Sequence, residues 1–436
     1  MNPESFKKVL IITYYWPPSG GSSVLRWLKF TKYLQDFGWL PTIYTPSNPE
    51  PQAKDLSLQS EVPHNVHVIK RKITEPYFLF RLLTGKKSDE TLTVSFISDK
   101  DPGPIHRLLI WVRGNFFIPD ARKWWIKPSV RFLIRFLKQN PHDIIISTGP
   151  PHSMHLIALG VKKKLEVPWI SDFRDPWTNI DFYDELRLSA RADRQHHLLE
   201  RKVLDFSDAV IAVSPTMARE FTEKGCKNVY TITNGFDEQD MIRPGEQADK
   251  FIIIHIGSMS SGRNPDSLWS ALNEMGRLNG QFKSDLLINL TGDVDFSVIR
   301  SIEENGLLSN LVRNKHIPHS EVLTCLMQAS VLLLVINNSS NSRGILTNKF
   351  FEYLSARKPI IAIGPVDGDV AAILNRADSG KIFDYKDKKG LSEYIMDLYG
   401  QFKSGRLYLS TGDISRFSRQ NLTSALARLL NSVTTT

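Results

Sequence analysis

Hydrophobic residues along the chain fall in short, near-continuous runs divided by longer stretches with helical spacing. "KVLIITYY", "PTIYTP", "DIIIST", "PWISDF" and "AVIAVS" are such runs in the first half. Unbroken apolar runs of this length fit parallel strands covered on both faces. Helical segments lie between them. The first is expected from about Ser23 to Phe37, with Gly38 as its stop. Repeated strand–helix–strand units predict an α/β fold with a doubly wound sheet.

The polar stretch "TITNGFDEQDMIRPGEQADK" interrupts this alternation. Its two glycines and one proline mark a linker, placed at residues 236–250. A second alternating series follows, in "FIIIHIGSMSSG", "DLLINLTG", "VLLLVINN" and "PIIAIGP". The expected organisation is a domain over 1–235, the linker, a second domain over 251–415 and a C-terminal helix and tail over 416–436. That last helix is expected to pack back on the first domain.

Length supports the division, because 436 residues exceed one ordinary core. Composition is that of a folded protein, with 41% hydrophobic and 23% charged residues. Cys226 and Cys325 stand far apart without a metal-ligand pattern, so both are expected to be free thiols in a reducing compartment. The apolar start "MNPESFKKVLIITYYW" soon meets prolines, which fits a buried first strand better than a secretory leader. No run has the ~18 apolar residues of a membrane span. The expected location is cytoplasmic, or peripheral on the inner face of the cytoplasmic membrane. A net charge of +9 fits either anionic partners or plain solubility.

In doubly wound sheets, ligands bind outside the carboxyl ends of the strands. The loop after the first strand is "WPPSGGSS". Gly20 and Gly21 permit close backbone approach, and the helix behind them offers free N–H groups to an anion. A structural turn is the alternative, since the glycine spacing of dinucleotide-binding folds is absent. After the second series begins, "GSMSSGRNP" places Gly257, Ser258 and Arg263 at a strand–helix tip. Arg263 suits a phosphate there, or is a solvated loop residue.

"INNSSNSRGILTNKFFEYLSARKPIIAIG" is the richest segment. A polar loop leads to a helix beginning near Thr347, followed by Asn348 and Lys349. Lys349 and Glu352 share a helix face near its amino end. Backbone amides and Lys349 there can hold a diphosphate, while Glu352 can accept hydrogen bonds from vicinal hydroxyls such as those of a ribose. A surface ion pair is the plain alternative.

Residues 106–139 hold eight Lys and Arg but one acidic residue, Asp120. Trp111, Trp124 and Trp125 are interleaved with them, and Arg131 and Arg135 share a face of a helix expected from Pro128. Tryptophan beside basic residues suits an anionic membrane interface. A core-facing helix with a solvated basic face fits the same pattern. No nucleic-acid motif accompanies the charge.

Taken in order, "YYWPPSGGSSVLRWLKF", "STGPPHSMHLIAL", "SDFRDPW", "ERKVLDFSDAVIAVSP", "ITNGFD", "HIGSMSSGRNP" and "NKFFEYLSARKPIIAIG" resemble the family 4 type of GT-B glycosyltransferase over nearly the whole chain. The resemblance implies two Rossmann-like domains facing across a cleft. The first would bind a glycan or lipid-linked acceptor and the second a nucleotide-diphosphate sugar. Transfer would be retaining and free of metal or other cofactor, and would serve surface polysaccharide or lipopolysaccharide biosynthesis.

By the same resemblance, Glu352 matches the second of two family glutamates, while Gly344 stands where the first belongs. Ser258 and Arg263 stand where an arginine and a lysine normally grip the diphosphate, with Lys349 as a replacement charge. Gly20 and Gly21 match the family's first glycine loop. Asp172 lies where many relatives carry a histidine facing the reaction centre, and is the expected catalytic carboxylate. Arg174, Asp175, His152 and His155 are the expected acceptor contacts. A nucleotide-sugar epimerase of the same fold and a catalytically silent membrane-associated binding protein are the alternative readings.

Overall fold

The computed structural model describes residues 6–50, 54–76, 104–238, 248–315, 317, 319–407 and 410–435. They form two compact units, one of residues 1–233 with 419–436 and one of residues 234–418.

The first unit is built on strands β1 (Lys7–Ile12), β2 (Trp39–Pro46), β3 (His67–Arg71), β4 (Ile144–Gly149), β5 (Trp169–Phe173), β6 (Ala209–Ala212) and β7 (Val229–Thr231). They form one sheet in the order β3-β2-β1-β4-β5-β6-β7, and every pairing is parallel. Both faces are covered, as the apolar runs require. Val9 and Ile11 face one core while Leu10 and Ile12 face the other. The helix after β1 runs Ser22–Leu34, and a short 3-10 turn, Gln35–Phe37, leads to Gly38 at φ 81°. The C-terminal helix Arg419–Thr435 belongs to this unit. Its Leu422, Leu426, Leu429 and Leu430 share a core with Val24, Trp27 and Leu28 of the first helix.

The second unit repeats the plan with β8 (Phe251–Ile256), β9 (Leu286–Thr291), β10 (Leu311–Asn314), β11 (Val331–Val335), β12 (Ile360–Ile363) and β13 (Gly380–Phe383). Their order is β10-β9-β8-β11-β12-β13, again all parallel. The strand order reverses between β1 and β4 in the first unit and between β8 and β11 in the second. These switch points open crevices at the strands' carboxyl ends.

The segment read as a linker is packed at its start. Phe236 is buried in a core of the second unit and its N–H donates to Phe417 O at 3.1 Å. Residues 239–247 of that segment lie outside the described residues.

Candidate active site

In the second unit, β8 delivers the chain to Gly257, at φ 107°. A Cβ there would lie 3.0 Å from both Cε and Nζ of Lys349, so only glycine seats that lysine. Gly292, at φ 127°, crosses directly beside it, with a Cβ position 2.7 Å from Gly257 O. Two side-chain-free turns thus form a floor.

Lys349 stands on the helix Asn348–Ser355. The helix buries Phe350, Phe351, Tyr353 and Leu354, leaving Lys349 and Glu352 half-buried on another face. Tyr353 fixes it to the sheet, because its Oη accepts the N–H of Ile256 at 2.9 Å. Thr347 occupies the N-cap position without capping the helix, and its Oγ1 is buried with no hydrogen-bond partner. The first turn carries no acidic residue. The dipole's positive end therefore meets no carboxylate within that turn.

Two cations, Lys349 and Arg263, stand around this floor, with the Glu352 carboxylate further along the helix. Lys349 Nζ lies 3.1 Å from Nε2 of buried His255. His255 Nδ1 lies 2.9 Å from Leu333 O, a carbonyl that can only accept. The ring is thus neutral with its proton on Nδ1, and Nε2 accepts from the ammonium. Burial, then the charge of Lys349, hold His255 well below the ordinary histidine range. Loss of hydration, reinforced by Arg263, pushes Lys349 down to about 7, while Glu352 acts the other way. Arg263 is held by its Nε–H bond to Asn337 Oδ1 at 2.7 Å, and Asn337 O accepts from Tyr385 at 3.0 Å. A lysine driven toward neutrality by burial and then by a neighbouring cation is suited to an anion that relieves both.

The structure therefore brings together Gly257, Arg263, Thr347, Lys349 and, three residues along the same helix, Glu352. Ser258 is exposed beside Gly257, and Asn348 begins the helix. Gly344 closes a 3-10 turn, Ser342–Gly344, whose Arg343 pairs with Asp367 at 3.0 Å. His255, Asn337 and Tyr353 were not legible as site residues. The signal for His255 was a lone imidazole in an apolar strand two positions before a glycine.

In the first unit, Gly21 takes φ 87° at the amino end of the first helix, consistent with the glycine loop, and Gly20 precedes it. Asp172 needs correction. It lies inside β5, fully buried, and both oxygens are engaged. Arg26 Nη2 reaches Oδ1 at 2.8 Å, while Arg26 Nε, Trp27 Nε1 and Thr148 Oγ1 reach Oδ2 at 3.2, 2.8 and 2.8 Å. Burial alone would raise its pKa, but the Arg26 charge and these bonds hold it below the usual carboxylate range. Arg26 also donates to Ile232 O and Thr233 O, at 2.9 and 2.8 Å. This is a structural ion pair that ties the first helix to the sheet, and not a proton acceptor for a substrate.

His152 and His155 are likewise interior. His155 is bonded to Ser147 Oγ at 2.8 Å, and burial pushes it down to about 3. His152 stacks on Trp177 at 4.5 Å. Neither reaches the surface as an acceptor contact would. Arg174 is half-buried and donates to Ser23 O at 3.0 Å and to Pro150 O. Asp175 differs from Asp172. It is exposed just beyond the end of β5. The lost hydration pushes it up to about 6, against the pull of Arg174.

The basic segment divides in two. Trp125 is 2% exposed and stacks on Tyr44 at 5.0 Å, so it is core and not membrane-facing. The helix starts at Lys123, a turn before Pro128, which it carries internally. Trp111, Trp124, Arg131 and Arg135 are exposed.

Comparison with known proteins follows this geometry. A family model described as Glycosyltransferase Family 4 matches residues 88–240. Sucrose-phosphate synthase from Thermosynechococcus elongatus superimposes with a TM-score of 0.62 at 12% identity, over 98% of this chain and 99% of that one. A TarM variant from S. aureus, in complex with Fondaparinux, alpha-GlcNAc-glycerol and UDP, gives 0.61 at 10% identity, over 98% and 100%. The lipopolysaccharide outer core galactosyltransferase WaaB gives 0.57 at 12%, over 98% and 99%. The chain shares the GT-B fold of these glycosyltransferases, and the family 4 similarity lies in residues 88–240. No curated protein matches this chain in sequence. Among its described residues no helix is long and apolar enough to cross a membrane.

Proposed function

We propose that this chain is a glycosyltransferase that moves a sugar from a nucleotide-diphosphate donor to a glycan or lipid-linked acceptor, with retention and without a metal, in surface polysaccharide assembly. The observation that carries the reading is the pair of cations, Lys349 and Arg263, standing over the Gly257–Gly292 floor at the amino end of the helix Asn348–Ser355.

Breaking the bond from sugar to diphosphate leaves negative charge on the phosphate oxygens. Lys349, Arg263 and the helix amides supply positive charge fixed before the reaction, which is the form of stabilisation that lowers such a barrier most. Glu352, three residues beyond Lys349 on the helix, suits the ribose hydroxyls. On the acceptor side, Asp175 replaces Asp172 as the carboxylate at the end of β5 that reaches solvent. Its raised pKa fits a group that takes up a proton near neutrality. The neighbour TarM, solved with UDP, and the lipopolysaccharide enzyme WaaB support the donor and acceptor classes by analogy of fold.

Calorimetry with a panel of nucleoside diphosphates tests the donor half. Binding of at least one, lost in Lys349→Ala, is expected. A panel without heat overturns it. Transfer from the matching sugar donor, with the product's anomeric configuration read by NMR, tests retention.

A further inference from the structure

The elbow joining the helix Pro104–Phe116 to the helix Lys123–Gln139 concentrates apolar surface outside the protein. Leu108, Trp111, Phe116 and Trp124 are 58%, 40%, 58% and 47% exposed. The rings form a linked series. Trp111 and Phe116 meet edge to face at 5.6 Å, and Phe117 and Trp124 at 5.4 Å. Lys123 joins the two pairs, with Nζ 5.1 Å over Phe117 and bonded to Phe116 O. Large aromatics clustered in water are costly unless something covers them.

The elbow is held firmly from behind. Ile110 is buried, and Gly114 admits Leu186 O to 2.7 Å of its Cβ position. Asn115 Nδ2 donates to Arg187 O at 3.2 Å, and Ser189 N–H donates to Asn115 Oδ1 at 2.7 Å. The outward face is thus a fixed surface.

Charge continues from it in one direction. Trp124, Lys127, Arg131, Arg135 and Lys138 recur at steps of three and four, so they form a single helix stripe. All five are exposed, while Trp125, Ser129, Leu133 and Leu137 are buried on the opposite face. The segment's one carboxylate, Asp120, is turned inward onto Ser153 N and Oγ, both at 2.8 Å. Asp184 and Glu185, in the 3-10 turn that packs against the helix Pro104–Phe116, are acidic neighbours.

We propose that this elbow and stripe dock the enzyme on an anionic lipid bilayer, with Trp111, Phe116 and Trp124 entering the headgroup region and the stripe lying along the phosphates. Amphipathic aromatics settle at that depth. A stripe running from residue 127 to 138 is about 16 Å long at ~1.5 Å per residue, which suits a sheet of negative charge better than a single anionic site. The docking does not depend on the donor site.

Co-sedimentation of the full chain with phosphatidylglycerol–phosphatidylcholine vesicles, and with phosphatidylcholine alone, tests it at low salt. The enzyme is expected to pellet with the anionic vesicles only. Removing a basic residue should cost about fivefold in partitioning, so Lys127→Ala/Arg131→Ala/Arg135→Ala should lose on the order of a hundredfold. Trp111→Ser/Phe116→Ser/Trp124→Ser should lose at least ~10-fold, together with quenching of tryptophan emission by brominated lipid. These positions are exposed, and unchanged melting temperatures confirm that the variants are folded. Failure to bind anionic vesicles, or equal binding by wild type and either variant, overturns the proposal. So does self-association abolished by the aromatic variant without vesicle binding, which makes the patch a protein interface.

Discussion

On the proposed function, Lys349 governs how donor binding depends on pH. Burial and Arg263 push its pKa down to about 7. A bound diphosphate favours the ammonium and raises that value, so binding above pH 7 takes up a proton. Affinity should be flat below pH 7 and fall above it, by up to ~10-fold per pH unit. Nucleotide titrations between pH 6 and 9 check this. Lys349→Met should remove the slope and weaken binding by roughly ten- to a hundredfold, from one charge-assisted bond. Asp172 makes a different prediction. It and Arg26 are both fully buried. Removing one member of such a pair costs about 3–5 kcal/mol, so Asp172→Ala should lower the melting temperature by roughly 10 °C. Asp172→Leu with Arg26→Met should recover part of that loss, which calorimetry can read. The two residues also show what was legible. A glycine, a lysine and a glutamate in order after a strand announced Lys349. "SDFRD" offered two aspartates, and nothing local distinguished the buried Asp172 from the accessible Asp175.

The donor helix Asn348–Ser355 has eight residues, too few to be stable alone. Its place comes from contacts. Phe350, Phe351 and Leu354 are buried, and Tyr353 Oη accepts the Ile256 N–H at the end of β8. Tyr353→Phe keeps the ring and leaves that amide without its acceptor. The cost should be about 1–3 kcal/mol, with weaker nucleotide binding because the amides and Lys349 lose their fixed aim. Chemical denaturation and calorimetry on the same variant measure both. At the elbow, the amphipathic pattern of residues 123–139 was plain, since Leu133 and Leu137 point inward and Arg131 and Arg135 outward. Which of two adjacent tryptophans belonged to the core was not. Helix phase, set by where Lys123 starts the first turn, sends Trp125 to Tyr44 and Trp124 to solvent.

As a whole the molecule carries separate cores in its two units, each around its own parallel sheet. The proposed donor residues lie in the second unit. A nucleotide at 100 times its dissociation constant should stabilise that unit by about 2.7 kcal/mol. Hydrogen exchange should therefore slow at the ends of β8 and β11 and in the helix Asn348–Ser355, while β4 and β5 of the first unit remain the internal control. Equal slowing throughout the chain would contradict a site built from the second unit. The C-terminal helix supplies a further test of organisation. Leu426 and Leu430 are fully buried against the first helix, so Leu430→Ala should destabilise the first unit by about 2–5 kcal/mol.

Apolar runs buried on two faces, spaced by helical stretches, determined the strands, the parallel sheets and the doubly wound class. These are local patterns, and the chain carries them wherever it folds. Glycines and polar residues after the strands likewise marked the switch-point loops. The tertiary structure decided which polar side chains are inside. Asp172 acquired its role from Arg26, 146 positions away in the chain, and Lys349 acquired its lowered pKa from burial and from Arg263, far from it in sequence. Ionisation depends on burial and on charges a few ångströms off, and those distances exist only once the strands have taken their order.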